Sequence, residues 1–210
     1  MSSPRPRDAL PAPRLVVATR NPGKVRELRR LLAGHTLRVL SLDEAGFQGD
    51  LVEPGPGYVD NALAKAVAVA QATGLPALAD DSGIEVDALR GWPGPKSARW
   101  LNGSDEDRLQ GLLREVEERS PEGRKVRYVC VVALANPPAE PVVARGETLG
   151  TLVEPRGTGG FGYDPAFLSA DLGVRFGEAT DEEKDRVSHR ARALQRLAES
   201  GVLDFVSPYS

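Results

Sequence analysis

Residues 15–32, LVVATRNPGKVRELRRLL, predict a buried strand, a tight turn and a helix in immediate succession. The apolar run over residues 15–18 is typical of a strand that is covered by other parts of the fold. Asn21 can cap the following helix, and Pro22 suits the first helical position, where no partner for an N–H is needed. Apolar residues then recur at helical spacing, at Val25, Leu28 and Leu32.

Lys24 is unusual for the first turn of a helix. It lies about three residues after the cap, where a glutamate would complete a capping box and suit the positive end of the helix dipole. A cation there opposes the dipole unless an anion is bound. Exposed amides, the lysine and the polar side chains of Thr19, Arg20 and Asn21 would together form a phosphate site, with Gly23 leaving room beside them. The alternative is an ordinary strand–helix turn with a solvated lysine.

The composition indicates a globular protein with a substantial core. A chain of 210 residues suits one large domain, or one domain with two lobes. Hydrophobic residues make up 40% and charged residues 27%, both ordinary values for soluble proteins. The formal net charge of -3 argues against a general binder of nucleic acid or of membrane surfaces. A small anionic ligand needs only local positive charge and stays compatible with this balance.

The single cysteine and the proline-rich start of the chain indicate the cellular compartment in which the protein works. Cys130 lies in the apolar run over residues 129–134 and is expected to be a core thiol. Because it is the only cysteine, a disulfide framework and a cysteine-ligated zinc site are excluded. No apolar stretch is long enough to span a bilayer. Residues 1–13 are predicted to be a disordered tail, because the start has four prolines and no apolar h-region of a secretory signal. A reducing cytoplasm is the expected location.

A helix is predicted over residues 59–73, and Gly74 is a suitable residue to end it. The segment is rich in alanine and apolar on most faces, so we expect it to pack tightly in the interior. Asn61 and Lys65 are four residues apart and share one face of this helix. They could face a ligand, although a lysine that reaches out to solvent is the commoner case.

Two adjacent carboxylates interrupt the apolar pattern of residues 75–89, LPALADDSGIEVDAL. A short apolar run ends before Asp80 and Asp81, and an alternating strand begins at Ile84. Carboxylates placed side by side at a strand end would be explained by a shared divalent cation, and hard oxygen ligands suit Mg²⁺. The alternative is an Asp-Asp-Ser-Gly turn over residues 80–83, which turn chemistry explains without a metal.

A glycine-rich segment, GTGGFGYDPAF over residues 157–167, surrounds Phe161 and Tyr163 with four glycines. Such a loop lets the backbone approach a ligand closely and can present an exposed aromatic ring. A base stacked on an aromatic side chain gains about 1–3 kcal/mol in single-stranded nucleic-acid sites. The alternative is a glycine-rich turn whose aromatic residues belong to the core.

The last predicted helical segment begins with a capping box formed by Thr180 and Glu183. Ser188 could be a second cap, so the segment is either one helix or a short turn followed by a helix. A packing face is marked by Val187, Ala191, Leu194 and Ala198. Three basic residues lie off that face and would usually be solvated: Lys184, His189 and Arg190.

The other predicted elements follow from periodicity and from glycine and proline positions. They are a candidate strand over 35–42, a loop over 46–58 that carries Glu53, an irregular loop over 91–100, a helix over 104–119 with a Ser104–Asp107 capping box, and an antiparallel strand pair over 125–135 and 142–149.

The order of these motifs resembles the inosine/xanthosine triphosphate pyrophosphatase family over about residues 15–197. The matching segments are TRNPGK at 19–24, a lone glutamate before VDNALAKA at 59–66, ADDSGIEVDALRGWPGPKSAR at 79–99, GTGGFGYDP at 157–165 and EEKDRVSHRARAL at 182–194. The resemblance implies an α/β fold with a long mixed sheet flanked by helices, and two lobes around a central nucleotide cleft, in one domain over residues 14–206. It also implies a homodimer, Mg²⁺ dependence, and hydrolysis of ITP, dITP or XTP to the monophosphate and pyrophosphate.

Matched position by position, the resemblance implies three groups of site residues. The triphosphate group consists of Thr19, Arg20, Asn21, Pro22, Gly23 and Lys24. The metal group consists of Glu53 and Asp81, with Asp80 nearby as a further candidate, and Asp81 also orients or deprotonates the attacking water. Ser82 touches the substrate, and the base pocket consists of Phe161, Gly162, Tyr163, Asp164, Lys184, His189 and Arg190.

These implied roles agree with the chemistry of the reaction. Attack at the α-phosphorus places charge on non-bridging oxygens and on the pyrophosphate leaving group, which a metal, Lys24 and amide donors would stabilise. A carboxylate can take the proton from water. Donors such as His189 or Arg190 would bond the 6-keto oxygen of hypoxanthine or xanthine and leave the amino group of adenine unpaired.

Two positions depart from the family pattern. Lys96 stands where a bulky apolar residue or tyrosine usually precedes Ser-Ala-Arg, and Ala191 follows His-Arg where glycine is usual. One alternative function is a Maf-like pyrophosphatase, although those enzymes begin with a turn rich in serine and arginine. The other is a nucleotide-binding regulator without turnover, which would not need the carboxylates at Glu53, Asp80 and Asp81.

Overall fold

In the part of the chain that the structure describes, the predicted first strand lies inside a six-stranded mixed sheet with the order β2-β1-β3-β4-β5-β6. The computed structural model describes residues 12–203. β1 is parallel to β2 and to β3, and the remaining neighbours are antiparallel. The strands are β1 Arg14–Val17, β2 Arg38–Leu40, β3 Ala77–Val86, β4 Lys125–Ala135, β5 Val142–Leu152 and β6 Phe167–Ser169. The expected α/β fold with a mixed sheet is confirmed.

Within the described residues five α-helices flank the sheet. They are α1 Pro22–Leu31, α2 Tyr58–Thr73, α3 Asp105–Arg119, α4 Asp181–Val187 and α5 His189–Glu199. Four of them, α1, α3, α4 and α5, begin at predicted caps. The Asn21 side chain caps α1, and capping boxes open α3 at Ser104 and α4 at Thr180. Ser188 ends α4 and caps α5, so the last segment is two helices. Within residues 12–203, no helix combines the length and apolar character that crossing a membrane requires.

Side-chain alternation along the strands divides the core into two layers. On one face of the sheet, the alanine-rich side of α2 packs against residues such as Ala79 and Val131. On the other face, α1 and α5 pack against Leu78 and Cys130. The Cys130 thiol is fully buried, as expected for a core residue. Gly146 permits the contact with α5, because a Cβ there would lie only 2.2 Å from the carbonyl oxygen of His189.

The far ends of the long strands form a second lobe. There α3 packs on the ends of β3 and β4 together with an aromatic cluster of Tyr128, Phe167 and Phe176. The strands β3, β4 and β5 run through both lobes, so the two lobes share one sheet. Of the predicted tail and domain limits, residues 1–11 and 204–206 lie outside the residues that the structure describes.

The structure contradicts one predicted element. The Asp-Asp-Ser-Gly segment over residues 80–83 is not a turn between two strands, because β3 runs through it without a break. Every residue of β3 pairs with β4, from Ala77 opposite Ala135 to Val86 opposite Val126. This ladder with a long apolar partner outweighs the local turn preference of Asp, Ser and Gly. The candidate strand over residues 35–42 is confirmed for its central part, Arg38–Leu40.

Candidate active site

The two adjacent aspartates point to opposite faces of β3, because successive side chains alternate across a strand. Asp81 faces α2, where Asn61 Nδ2 donates to its Oδ2 at 3.0 Å. Asp80 faces α1 and α5, and its Oδ2 lies 3.0 Å from both Lys24 Nζ and Arg190 Nη2. One dipeptide therefore supplies a carboxylate to each side of the sheet.

A cleft between the lobes brings together most of the predicted site residues. Its lining includes Asn21, Lys24, Glu53, Asp81, Ser82, Phe161, Gly162, Tyr163, Asp164, Lys184, His189 and Arg190. Five predicted residues do not line it: Thr19, Arg20, Pro22, Gly23 and Asp80. The cleft thus collects side chains from β3, from the starts of α1 and α5, and from the glycine-rich loop.

The start of α1 is shaped by its own side chains. Asn21 Oδ1 accepts the N–H groups of Gly23 at 2.8 Å and Lys24 at 3.2 Å, and Thr19 Oγ1 accepts the N–H of Asn21 at 3.2 Å. Arg20 points away and donates to the Gly49 carbonyl at 2.8 Å. Because two of the first amides are already bonded to the cap, the Lys24 ammonium is the main donor that this turn offers to an anion.

An acidic group, Glu53 and Asp81, surrounds the buried ammonium of Lys65. Lys65 Nζ lies 2.9 Å from Glu53 Oε1 and 3.7 Å from Asp81 Oδ1, and it donates to the Asp80 carbonyl at 2.7 Å. Arg99 also pairs with Glu53. Lys65 is therefore a buried cation within the site. It does not reach out to solvent, which is the commoner case for a lysine on a helix.

The two carboxylates of the acidic group differ in basicity. Burial raises the pKa of Asp81 above its ordinary value, although Lys65 and Asn61 oppose the change. Burial also opposes ionisation of Glu53, but its bonds and charge interactions with Lys65 and Arg99 outweigh that effect and lower the pKa. Asp81 is thus the better proton acceptor of the pair near neutral pH.

The acidic group fits Mg²⁺ shared with a phosphate ligand. Mg²⁺ is usually held by one or two carboxylates together with water and substrate phosphates. Glu53 and Asp81 form such a pair on the cleft wall. Across residues 12–203, no group of three or more His, Cys, Asp or Glu side chains is arranged to hold a metal. Asp80, the further candidate, is fully buried and paired with Lys24 and Arg190.

An aromatic group, Phe161, Tyr128 and His189, forms another part of the cleft wall. Phe161 covers the first turn of α1, since a Cβ on Gly23 would lie 2.7 Å from its ring. Lys184 Nζ lies 4.9 Å from the centre of the Phe161 ring. His189 stacks on Tyr128, with ring centroids 4.6 Å apart. Burial, reinforced by the Arg190 charge, lowers the pKa of His189 well below its usual range, so the imidazole is neutral.

The predicted basic residues Lys184, His189 and Arg190 are all buried rather than solvated on the helix surface. They belong to the packing face of α4 and α5, so the face predicted from Val187, Ala191, Leu194 and Ala198 was too narrow. Of those four residues, only Leu194 is fully buried. The prediction failed because carboxylates, rather than solvent, surround the basic side chains. Apolar periodicity in the sequence cannot reveal such ion pairs.

Glu27 supplies much of that counter-charge and was missed in the sequence. It is 3% exposed and pairs with both Lys184 and Arg190. Burial opposes its ionisation, but these two cations outweigh burial and lower the pKa of Glu27 to about 2. Its position three residues after Lys24, on the same side of α1, was the one available signal.

Asp164 and Tyr163 hold the glycine-rich loop in place. Asp164 accepts from Lys184 Nζ at 2.6 Å and from the Phe161 N–H at 2.8 Å, which fixes the aromatic ring over the cleft. The Tyr163 hydroxyl donates to the Ser97 carbonyl at 2.7 Å. This hydrogen bond ties the glycine-rich loop to the neighbouring loop that carries Ser97. Ser82, on β3, has a separate partner, because its Oγ accepts from Arg190 at 3.1 Å.

The two departures from the family pattern lie outside the cleft. Lys96 is exposed and ends a short helical turn over residues 94–96. Ala191 donates its N–H to the capping Ser188 side chain at 3.1 Å, so α5 starts normally without the usual glycine. Neither residue belongs to the lining of the cleft.

Comparisons with known proteins agree on one family. A sequence model described as Ham1 family matches residues 15–200. A dITP/XTP pyrophosphatase of Symbiobacterium thermophilum is 52% identical and covers 89% of this chain and 93% of that protein. One of Geobacter sulfurreducens is 46% identical over 88% of this chain and 94% of its own length. The solved structure of a HAM1 protein from Coxiella burnetii has a TM-score of 0.79 and 35% identity, covering 90% of this chain and 98% of that one.

Proposed function

This chain belongs to the Ham1 family, and from that premise we propose that it hydrolyses non-standard purine nucleoside triphosphates. The substrates are ITP, dITP and XTP, and the products are the nucleoside monophosphate and pyrophosphate. The protein is thus a hydrolase of phosphoric anhydride bonds that removes such nucleotides from the pool. The observation that carries this function is one cleft lined by both the acidic group, with Lys24, and the aromatic group.

In this proposal the residues of the acidic group and Lys24 bind the phosphates and activate the attacking water. Mg²⁺, held by Glu53 and Asp81, would neutralise charge that develops on the phosphate oxygens. Asp81, whose pKa is raised by burial, takes the proton of the water that attacks the α-phosphorus. Lys24 leaves Asp80 for the phosphate chain, and Asp80 keeps Arg190 as its partner.

The aromatic group and its basic neighbours bind the purine base of the substrate. Phe161 offers its ring for stacking, worth about 1–3 kcal/mol per base. Donors from Arg190 and from the neutral imidazole of His189 suit the 6-keto oxygen of hypoxanthine or xanthine. Adenine would place an amino group against these donors and leave buried polar groups unpaired, which discriminates strongly.

The remaining parts of the proposal concern the domain, the assembly and the location of the protein. We propose that residues 14–206 act as a single two-lobed domain, that the protein works as a homodimer in the cytoplasm, and that it binds neither nucleic acid nor membranes. The two lobes share β3, β4 and β5, which supports one folding unit. The net charge of -3 supports a small-molecule substrate.

Incubation with ITP, XTP, GTP or ATP in the presence of Mg²⁺ tests the function. We expect pyrophosphate from ITP and XTP, with ATP turned over at least ~100-fold more slowly because of the polar mismatch. Excess EDTA should abolish release. Binding of ITP without pyrophosphate release would favour the alternative of a non-catalytic regulator. Neither binding nor hydrolysis of ITP and XTP would favour the Maf-like alternative, whose substrates are other modified nucleotides.

Replacing Lys24 by alanine should weaken binding of the triphosphate. A hydrogen bond to a charged group contributes about 1.5–3 kcal/mol, so KM for ITP should rise about tenfold or more, with a smaller effect on kcat. Lys96→Ala is the matched control, because Lys96 is exposed and outside the cleft. An unchanged KM in Lys24→Ala would show that the first turn of α1 is not the phosphate site.

A further inference from the structure

Asn61 in the first turn of α2 connects the two chain segments that carry the carboxylates of the acidic group. Its side chain is fully buried. Its Nδ2 donates to Asp81 Oδ2 at 3.0 Å, and its Oδ1 accepts the N–H of Gly55 at 3.0 Å. Gly55 lies two residues after Glu53, so one amide group is bonded both to one carboxylate and to the loop that carries the other.

These two bonds use both functions of the amide. An amide offers donors on nitrogen and an acceptor on oxygen at fixed separation, and here each points to a different partner. The two partners belong to different chain segments, Asp81 to β3 and Gly55 to the loop that carries Glu53. The Asn61 side chain therefore fixes the position of this loop relative to β3. A side chain with only an acceptor, or with no polar atom, could not hold both at once.

Lys65, one turn later on the same face of α2, acts differently. Its ammonium lies between Glu53 and Asp81 and supplies charge, but an ammonium has no acceptor to hold the loop backbone. Charge compensation and orientation are thus divided between two residues of one helix. The bond from Asn61 occupies Asp81 Oδ2, while Oδ1 is the oxygen that faces Lys65.

We infer that Asn61 is a positioning residue for the acidic group: it orients Asp81 and sets its distance from Glu53 through Gly55. The inference rests on the proposed function and adds a residue that touches neither the phosphate nor the base. Outer residues of this kind typically change metal affinity or activity by about 10–100-fold when they are replaced.

The test compares Asn61→Ala and Asn61→Leu with a matched control, Val69→Ala. Val69 is fully buried in the same helix and packs in the core below it, so its truncation lowers stability without touching the acidic group. Asn61→Leu fills the space that Asn61→Ala leaves and guards against loss of folding through a cavity. For each folded variant, kcat and KM for ITP are measured, together with the affinity for Mn²⁺ alone in the absence of nucleotide.

We expect kcat to fall about 10–100-fold in the Asn61 variants, with KM for ITP changed less than about threefold since Lys24 and the aromatic group are intact. Mn²⁺ affinity should fall about tenfold or more, and Val69→Ala should match the unmodified protein in all three values. Unchanged kcat and Mn²⁺ affinity in an Asn61 variant, or equal losses in Val69→Ala, would overturn the inference. Absence of pyrophosphate release from the unmodified protein would overturn the function itself, which the Mn²⁺ titration does not require.

Discussion

Asp81→Asn should lower kcat for ITP by about 10²- to 10⁴-fold, the range expected when a general base is lost. The amide cannot accept the proton of the attacking water, and it removes one of the two carboxylates proposed for Mg²⁺. The fold should persist, because Asn has the same shape and Asn61 can still bond an oxygen at this position. Steady-state kinetics with pyrophosphate detection measures the effect.

The matched control for that substitution is Asp87→Asn. Asp87 follows directly after β3 and is exposed, so the same chemical change there should leave kcat within about twofold. Circular dichroism and the melting temperature establish that both variants are folded. If Asp81→Asn retained a kcat close to that of the unmodified protein, Asp81 would not be the base.

Glu27→Gln should lower the free energy of unfolding by about 3 kcal/mol, the low end of the cost of removing one partner from a buried ion pair, because Lys184 keeps Asp164 and Arg190 keeps Asp80 as counter-charges. Lys184 and Arg190 are 2% and 1% exposed and both pair with Glu27. Urea unfolding measures the loss. Glu115→Gln is the control, because the Glu115–Arg119 pair is on the surface and such pairs contribute about 0–1 kcal/mol. Equal stability of Glu27→Gln and the unmodified protein would contradict the structural role of Glu27.

The same carboxylate predicts how stability depends on pH. The pKa of Glu27 falls from 4.5 to about 2 on folding, so the unfolded chain binds the proton more tightly. Its contribution, about 3 kcal/mol at this shift, is present above pH 4.5 and is lost as the pH falls towards 2. The Glu27→Gln variant should lack this part of the acid dependence, and a parallel loss in both proteins would argue against it.

The predictions from sequence succeeded where local rules decide the structure. Asn21 and Ser188 cap helices as expected, and β4 occupies the predicted residues 125–135. These features depend on neighbours in the chain, on apolar periodicity and on hydrogen bonds to backbone amides a few residues away. The prediction for the segment at Asp80 and Asp81 failed because its conformation is fixed by pairing with Val132 and Val131 of β4, about fifty residues later in the chain.

The buried charges were hidden for a related reason. Lys184 and Arg190 were expected to be solvated because the carboxylate that they share, Glu27, lies more than 150 residues earlier in the chain. Resemblance to the family identified both cations as site residues, but it did not reveal Glu27. The division of Asp80 and Asp81 between two faces of the sheet became predictable only once the segment was known to be a strand.

The most direct test of the proposed function is hydrolysis of ITP in water enriched in ¹⁸O, with mass spectrometry of the products. Attack at the α-phosphorus predicts one ¹⁸O atom in IMP and none in pyrophosphate. Label in the pyrophosphate, or formation of IDP and inorganic phosphate, would contradict a mechanism in which Asp81 directs water to the α-phosphorus.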